Sequence, residues 1–145
     1  MYIIEVMKNV LESELGKTGM TLETVDGLTI LNLGDEINLV DLSFLWSALY
    51  GTERKSLEWQ LLFNSDQLLI NFTKVEYIDQ ISNEFSELDK EYQRVKGKGI
   101  IFCGIQEKIE NVIKFTSGAD YNKLIIFDTW EVALDYYWNQ KGQEH

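Results

Sequence analysis

The sequence predicts a mixed α/β fold, with a sheet of about four to five strands and helices packed mainly on one face. Two alternating segments, 21–25 and 28–33, flank Asp26 and Gly27 and predict an N-terminal antiparallel hairpin. From Leu68 onward, apolar runs alternate with helical periodicity three times. That alternation is typical of βα units with parallel strands.

Three short apolar runs, 68–72, 100–105 and 124–127, predict buried strands. The helix between the first two is expected to begin at a cap on Asp79 and to bury a stripe formed by Ile81, Phe85, Leu88, Tyr92 and Val95. A second helix is predicted over 107–117, with Gly118 as its stop. Asp128 and Glu131 form a capping box that opens a last helix through about Trp138.

The remaining segments set the expected domain boundaries. Residues 1–19 are interpreted as an N-terminal extension, either a helix or an edge strand, residues 20–138 as one domain, and residues 139–145 as a polar tail. Residues 41–51 predict a helix that is apolar nearly all round. Residues 52–67 suit both a strand and a helix, and we favour the helix.

Composition excludes several classes of function. The net charge of -11 over 145 residues opposes binding to nucleic acid or to an anionic membrane. The acidity is explained first by solubility and second by basic protein partners. No window approaches the roughly 20 apolar residues of a membrane span, so no direct membrane insertion and a cytoplasmic location are expected.

Residues suited to catalysis are scarce. The only histidine is His145 at the chain end, and the only cysteine is Cys103, in an apolar run that predicts a buried, inert thiol. Gly97-Lys98-Gly99 follows a helix and enters a strand, the reverse of a phosphate-binding loop. The neighbouring acids Asp35 and Glu36 are expected by chance in so acidic a chain. We therefore expect neither an enzyme, nor a metal site, nor a cofactor.

Three segments together resemble the STAS family (sulfate transporter and anti-sigma factor antagonist). The stretch from Ile70 to Asp79 resembles its strand, short loop and aromatic-Ile-Asp sequence. The stretch 127–134 is similar to its closing Asp-x-x-Glu-x-Ala-Leu motif, and 28–38 is similar to its early strand followed by Gly-Glu-Leu-Asp. The resemblance covers about residues 20–138, is weakest over 52–67, and implies a diverged stand-alone member with a STAS-like sheet.

This resemblance implies a docking site at the start of the helix and in the loop after the early strand. From the residues alone, helix capping is sufficient to explain Asp79. Gln80 occupies the phosphoacceptor position of the family and has no hydroxyl, and Ser82 is expected to cap or face solvent rather than replace it. The implied docking and regulatory residues are Asp79, Gln80, Ile81, Ser82, Asn83, Gly34, Glu36 and Asn38.

The function that follows from the resemblance is a protein–protein interaction module of a bacterial partner-switching pathway. Its expected partner is an anti-sigma factor or serine kinase-like ATPase, or a phosphatase. One alternative is an accessory subunit of a transport ATPase. Another is a small-ligand sensor, for which a closed apolar pocket near Trp46, Trp59 and Tyr77 is the expected sign. A homodimer stays open.

Overall fold

The computed structural model describes residues 20–37, 60, 62–78 and 84–143. Seven strands, three α-helices and one 3-10 helix follow each other along these residues. They are β1 (Thr21–Val25), β2 (Leu28–Asn32), β3 (Glu36–Ile37), β4 (Gln67–Asn71), β5 (Tyr77–Ile78), α1 (Glu84–Lys96), β6 (Ile101–Cys103), α2 (Glu107–Ser117), the 3-10 helix (Gly118–Lys123), β7 (Ile125–Phe127) and α3 (Trp130–Gln143).

Five of the strands form one mixed sheet in the order β1-β2-β4-β6-β7. β1 pairs with β2 antiparallel, and every other pair in this sheet is parallel. The hairpin turn has positive φ at both central residues, 46° at Asp26 and 87° at Gly27. Type I′ turns require this, and it explains why an Asp-Gly pair is found here. The predicted fold class and hairpin are confirmed.

The apolar side chains of the sheet face two separate clusters. On one face, Leu68 and Ile70 of β4 pack with Phe85 and Leu88 of α1 and with Ile109 of α2. On the other face, the alternate residues of the strands pack against Ala133 and Tyr137 of α3. Among the three described α-helices, α1 and α2 therefore share a face, and α3 covers the opposite one.

The helical stripe predicted after β4 is confirmed where the structure describes it. Phe85, Leu88 and Tyr92 are buried, and Val95 packs against them. Ile81 lies outside the described residues. Tyr92 also accepts a hydrogen bond at its hydroxyl from the Leu68 backbone N–H, at 2.9 Å, and this bond ties α1 to the start of β4.

Three expectations about the C-terminal third need correction. β7 is partly exposed rather than buried, because it lies at the edge of the sheet with a neighbour on one side only among the described strands. α3 is capped by Thr129, whose hydroxyl accepts from the Val132 N–H at 3.3 Å, and not by Asp128. The helix begins at Trp130, so the cap position falls one residue later than predicted.

α3 also continues to Gln143, beyond the end predicted at Trp138. Lys141, in its last turn, donates to the backbone oxygen of Asp26 at 2.5 Å, and the Tyr137 hydroxyl donates to the same oxygen at 3.0 Å. These contacts with the hairpin turn hold the last turns of the helix. A sequence pattern does not show them.

The predictions for the remaining described segments are confirmed in part. α2 has the predicted bounds, Glu107–Ser117, and its capping Gly118 has a positive φ of 59°. The 3-10 helix that follows was not predicted. Gln60, Leu62 and Phe63 are helical, as favoured for this stretch, whereas 38–59, with the helix predicted over 41–51, lies outside the described residues. No described helix combines the length and the apolar character that crossing a membrane requires.

A buried carboxylate, Asp89 on α1, connects that helix to the entrance of β6. Only 2% of Asp89 is exposed. Its carboxylate accepts from the Ile100 N–H at 2.8 Å and from the Gln93 side chain at 2.6 Å. Burial raises the pKa of Asp89 above its ordinary value, and the two hydrogen bonds oppose part of this rise.

We predict that Asp89→Asn destabilises the fold less than Asp89→Ala does. Alanine leaves the buried Ile100 N–H without an acceptor, which costs about 1–3 kcal/mol, whereas asparagine retains an acceptor oxygen. Because the folded pKa is raised, the stability due to Asp89 is fully present below its unfolded pKa and is lost as pH rises through the folded pKa. The stability of the native chain relative to Asp89→Asn should therefore fall as pH rises above about 4.

Urea unfolding of the three proteins at several pH values measures both effects. An increase in the relative stability of the native chain as pH rises would show that the pKa of Asp89 is lowered instead.

Candidate functional site

The carboxyl ends of the parallel strands β2, β4, β6 and β7 meet at one edge of the sheet. In open α/β sheets this edge is where the loops that bind other molecules are found. Two of these loops, the one after β2 and the one after β4, contain or lead to the residues that the sequence predicts for docking. Their geometry decides whether those residues share a surface.

The two loops are joined by backbone hydrogen bonds. The carbonyl oxygen of Asp35 accepts from the N–H groups of Glu76 and Tyr77, at 2.7 and 3.1 Å. β3 and β5 then pair in parallel, with Glu36 opposite Tyr77 and Ile37 opposite Ile78. We call this two-stranded pair the loop sheet. It brings the loop after β2 against the residues that immediately precede Asp79 in sequence.

Side chains of the loop sheet divide into an anchored and an exposed set. Ile37 is 1% exposed and belongs to the core. Asp35, Glu36 and Glu76 are exposed, and Tyr77 keeps 56% of its surface in solvent. The exposed side chains of the loop sheet and the residues directly before its strands are therefore one aromatic ring and three carboxylates.

The predicted docking residues fall into two groups. Gly34 and Glu36 are described: Gly34 is buried and contributes no surface of its own, whereas Glu36 is exposed on the loop sheet. The others, Asn38, Asp79, Gln80, Ile81, Ser82 and Asn83, lie outside the described residues. Asn38 directly follows β3 in sequence, and Asp79 directly follows β5.

Asn71, at the end of β4, holds the beginning of the loop that leads to β5. Its side-chain oxygen accepts from both the backbone N–H and the hydroxyl of Thr73, at 3.1 and 2.6 Å. Its amide nitrogen donates to the Asn32 side chain at 2.9 Å, which joins the ends of β4 and β2. The sequence signal for this role is the single polar residue inside the apolar run 68–72.

A glycine lets β6 approach the same loop. Gly104 has a φ of 73°, and a Cβ there would lie 2.4 Å from the Thr73 hydroxyl oxygen. The N–H of Phe72 also donates to the Cys103 carbonyl at 2.9 Å. Any larger residue at position 104 would displace the loop after β4, so the close approach requires glycine.

An open cleft of about 780 Å³ lies beside this loop. Most of its lining residues are polar or charged, among them Asn32, Asn71, Lys74, Asp128 and Glu131. This differs from the closed apolar pocket expected of a ligand sensor. Of the residues named for that pocket, Trp46 and Trp59 lie outside the described residues, and Tyr77 does not line the cleft.

The thiol of Cys103 lies beneath this cleft and is fully buried. Burial, together with the nearby Glu131 carboxylate, raises the pKa of Cys103 to about 11. A thiol with this pKa is protonated at neutral pH, so it is a poor nucleophile and a poor metal ligand. In the part of the chain that the structure describes, no three His, Cys, Asp or Glu side chains are grouped so that they could hold a metal ion.

Comparison with known proteins identifies the fold. No model of a protein family and no curated protein matches the sequence. Solved structures do match. A variant of RsbS from Moorella thermoacetica has a TM-score of 0.56 and 15% identity, covering 84% of this chain and 97% of that one.

Two further matches are described as anti-sigma factor antagonists. One, from Mycobacterium paratuberculosis, has a TM-score of 0.54 and 19% identity, covering 81% of this chain and 91% of that one. The other, SpoIIAA in its unphosphorylated form, has a TM-score of 0.55 and 16% identity, covering 83% and 96%. The chain therefore has the STAS-domain fold of anti-sigma factor antagonists, and the resemblance found in the sequence is confirmed at the level of the fold.

Proposed function

We propose that this chain is a non-catalytic protein–protein interaction module of a bacterial partner-switching pathway. The loop sheet is the observation that carries the proposal, because it joins the loop after β2 to the segment before Asp79. The loop after β2 is one of the two segments that the STAS resemblance implies for docking, and β5 leads directly to the other, which begins at Asp79. The fold shared with anti-sigma factor antagonists supports the same function.

The chemistry of the loop sheet suggests the kind of partner. Asp35, Glu36 and Glu76 are exposed, and none of them forms an ion pair with another described residue. Tyr77 offers a large amphipathic ring of the type that is enriched at binding hot spots. A partner with Arg or Lys side chains around an apolar recess would complement this surface, and the charges would accelerate its association.

We further propose that the usual phosphorylation control is absent. Gln80 occupies the position that the STAS resemblance assigns to the phosphoacceptor, and an amide cannot form a phosphate ester. Binding would then be constitutive or governed by the state of the partner. Asp79 to Asn83, together with Gly34, Glu36 and Asn38, would form the docking and regulatory surface.

Affinity capture with the tagged full-length chain from its native cell tests the docking surface. We predict recovery of a kinase-like ATPase or a phosphatase, and loss of binding in Glu36→Lys and Tyr77→Ala. Each change should weaken the complex by about 1–2 kcal/mol, or about five- to thirtyfold in Kd, because it removes an interface charge or ring.

Asp135→Lys is the matched control, since it makes the same charge reversal at an exposed position on α3. An equal loss of affinity in the control and in Glu36→Lys would contradict docking at the loop sheet. Recovery of an ATP-binding cassette subunit would instead support the alternative function, an accessory subunit of a transport ATPase.

Incubation with the captured kinase-like ATPase and ATP tests the missing phosphoacceptor. We predict no stoichiometric phosphate on the native chain, and phosphate on Gln80→Ser if the surrounding segment still fits the kinase. Intact mass and peptide mapping provide the measurement. Stoichiometric phosphate at Ser82 of the native chain would refute the proposed loss of control.

A further inference from the structure

A small cavity lies at the amino-terminal edge of the sheet, opposite the loop sheet. Its volume is about 60 Å³. It lies between the starts of the parallel strands and the last turns of α3. Its polar lining includes Asp66, Gln67, Lys98, Tyr136, Gln140 and Lys141.

One buried side chain in this cavity lacks a partner for its acceptor atom. Gln67 is only 6% exposed. Its amide nitrogen donates to two backbone oxygens, those of Leu68 at 2.9 Å and Gly99 at 3.0 Å. Because both of these atoms are acceptors, the amide cannot be reversed. Its Oε1 therefore points elsewhere, and no described residue donates to it, so this oxygen can accept from a bound water or ligand.

The other groups around the cavity are mainly donors. Lys98 forms no ion pair with a described residue, and Lys141 uses one N–H on the Asp26 backbone oxygen. Two ammonium groups face a single carboxylate, Asp66, so the cavity is locally positive in a chain of net charge -11.

Tyr136 adds a neutral donor. Its ring packs against Phe127 with 4.9 Å between centroids, which holds the hydroxyl in place. No described residue is hydrogen-bonded to that hydroxyl. Tyr136 can therefore donate to a ligand oxygen without losing an existing bond.

We propose that this cavity binds a small tetrahedral oxyanion that carries an acidic hydroxyl, of the hydrogen phosphate class. The hydroxyl donates to Gln67 Oε1, and the negative oxygens accept from Lys98, Lys141 and Tyr136. A space of about 60 Å³ holds roughly four water-sized groups, as many as the oxygens of one such ion. Sulfate has the same size and no proton at neutral pH, so it cannot satisfy Gln67.

Free phosphate and a phosphomonoester share this chemistry below about pH 6, where the ester keeps its second proton. Titration calorimetry of the full-length chain at about pH 5.5, with inorganic phosphate, glycerol phosphate and sulfate, distinguishes them. We expect phosphate or the ester to bind at least about tenfold more tightly than sulfate, because sulfate leaves a buried acceptor facing an oxygen. The tighter of the first two identifies the source of the oxyanion.

Two variants test the assigned contacts. Lys98→Met and Tyr136→Phe should each weaken phosphate binding at least about fivefold, and Tyr136→Phe retains the ring that packs on Phe127. Lys108→Met, a matched charge removal at an exposed position on α2, should leave the affinity unchanged. Circular dichroism verifies that each variant is folded.

Three outcomes would overturn the proposal. No phosphate or ester binding up to about 10 mM would mean that the cavity holds water only. Equal affinities for phosphate and sulfate would remove the role of Gln67. An equal effect of Lys108→Met and Lys98→Met would show diffuse attraction to surface lysines instead of a site.

Discussion

Parallel pairing of β4 on both sides is the constraint on which the rest of this structure depends. β4 pairs with β2 along one edge and with β6 along the other, and its residues 68–70 are fully buried. Both faces of β4 are covered, one by α1 and α2 and the other by α3. A strand held in this way cannot shift its register without exposing core side chains, so the loop after Asn71 starts from a fixed point.

The position of the candidate docking site depends on this fixed start of the loop after β4. Asn71 holds Thr73, and a few residues later the Asp35 carbonyl receives the N–H groups of Glu76 and Tyr77. The loop sheet thus pairs the loops that follow β2 and β4, which are far apart in sequence. The loop sheet lies at the carboxyl edge of the main sheet, and the cavity around Gln67 lies at its amino edge. The proposed docking site and the proposed oxyanion site are therefore at opposite ends of the same strands.

The sequence predicted those features that are determined by residues close to one another along the chain. The turn at Asp26 and Gly27 and the buried run of β4 follow from residues next to each other, and both were predicted. The loop sheet was missed because a two-residue strand has no periodicity, and its pairing depends on where β2 and β4 end in space. The exposure of β7 depends on strand order, which no pattern in 124–127 contains.

The proposed docking residues came from the family resemblance, and the structure supplied the contact between the two loops. Hydrogen exchange on the chain with its captured partner, compared with the free chain, tests the central claim most directly. The account predicts added protection at the amides of Glu36 and Ile37 and of 76–78, with none on the outer face of α3. Added protection on α3, with the loop sheet unchanged, would contradict it.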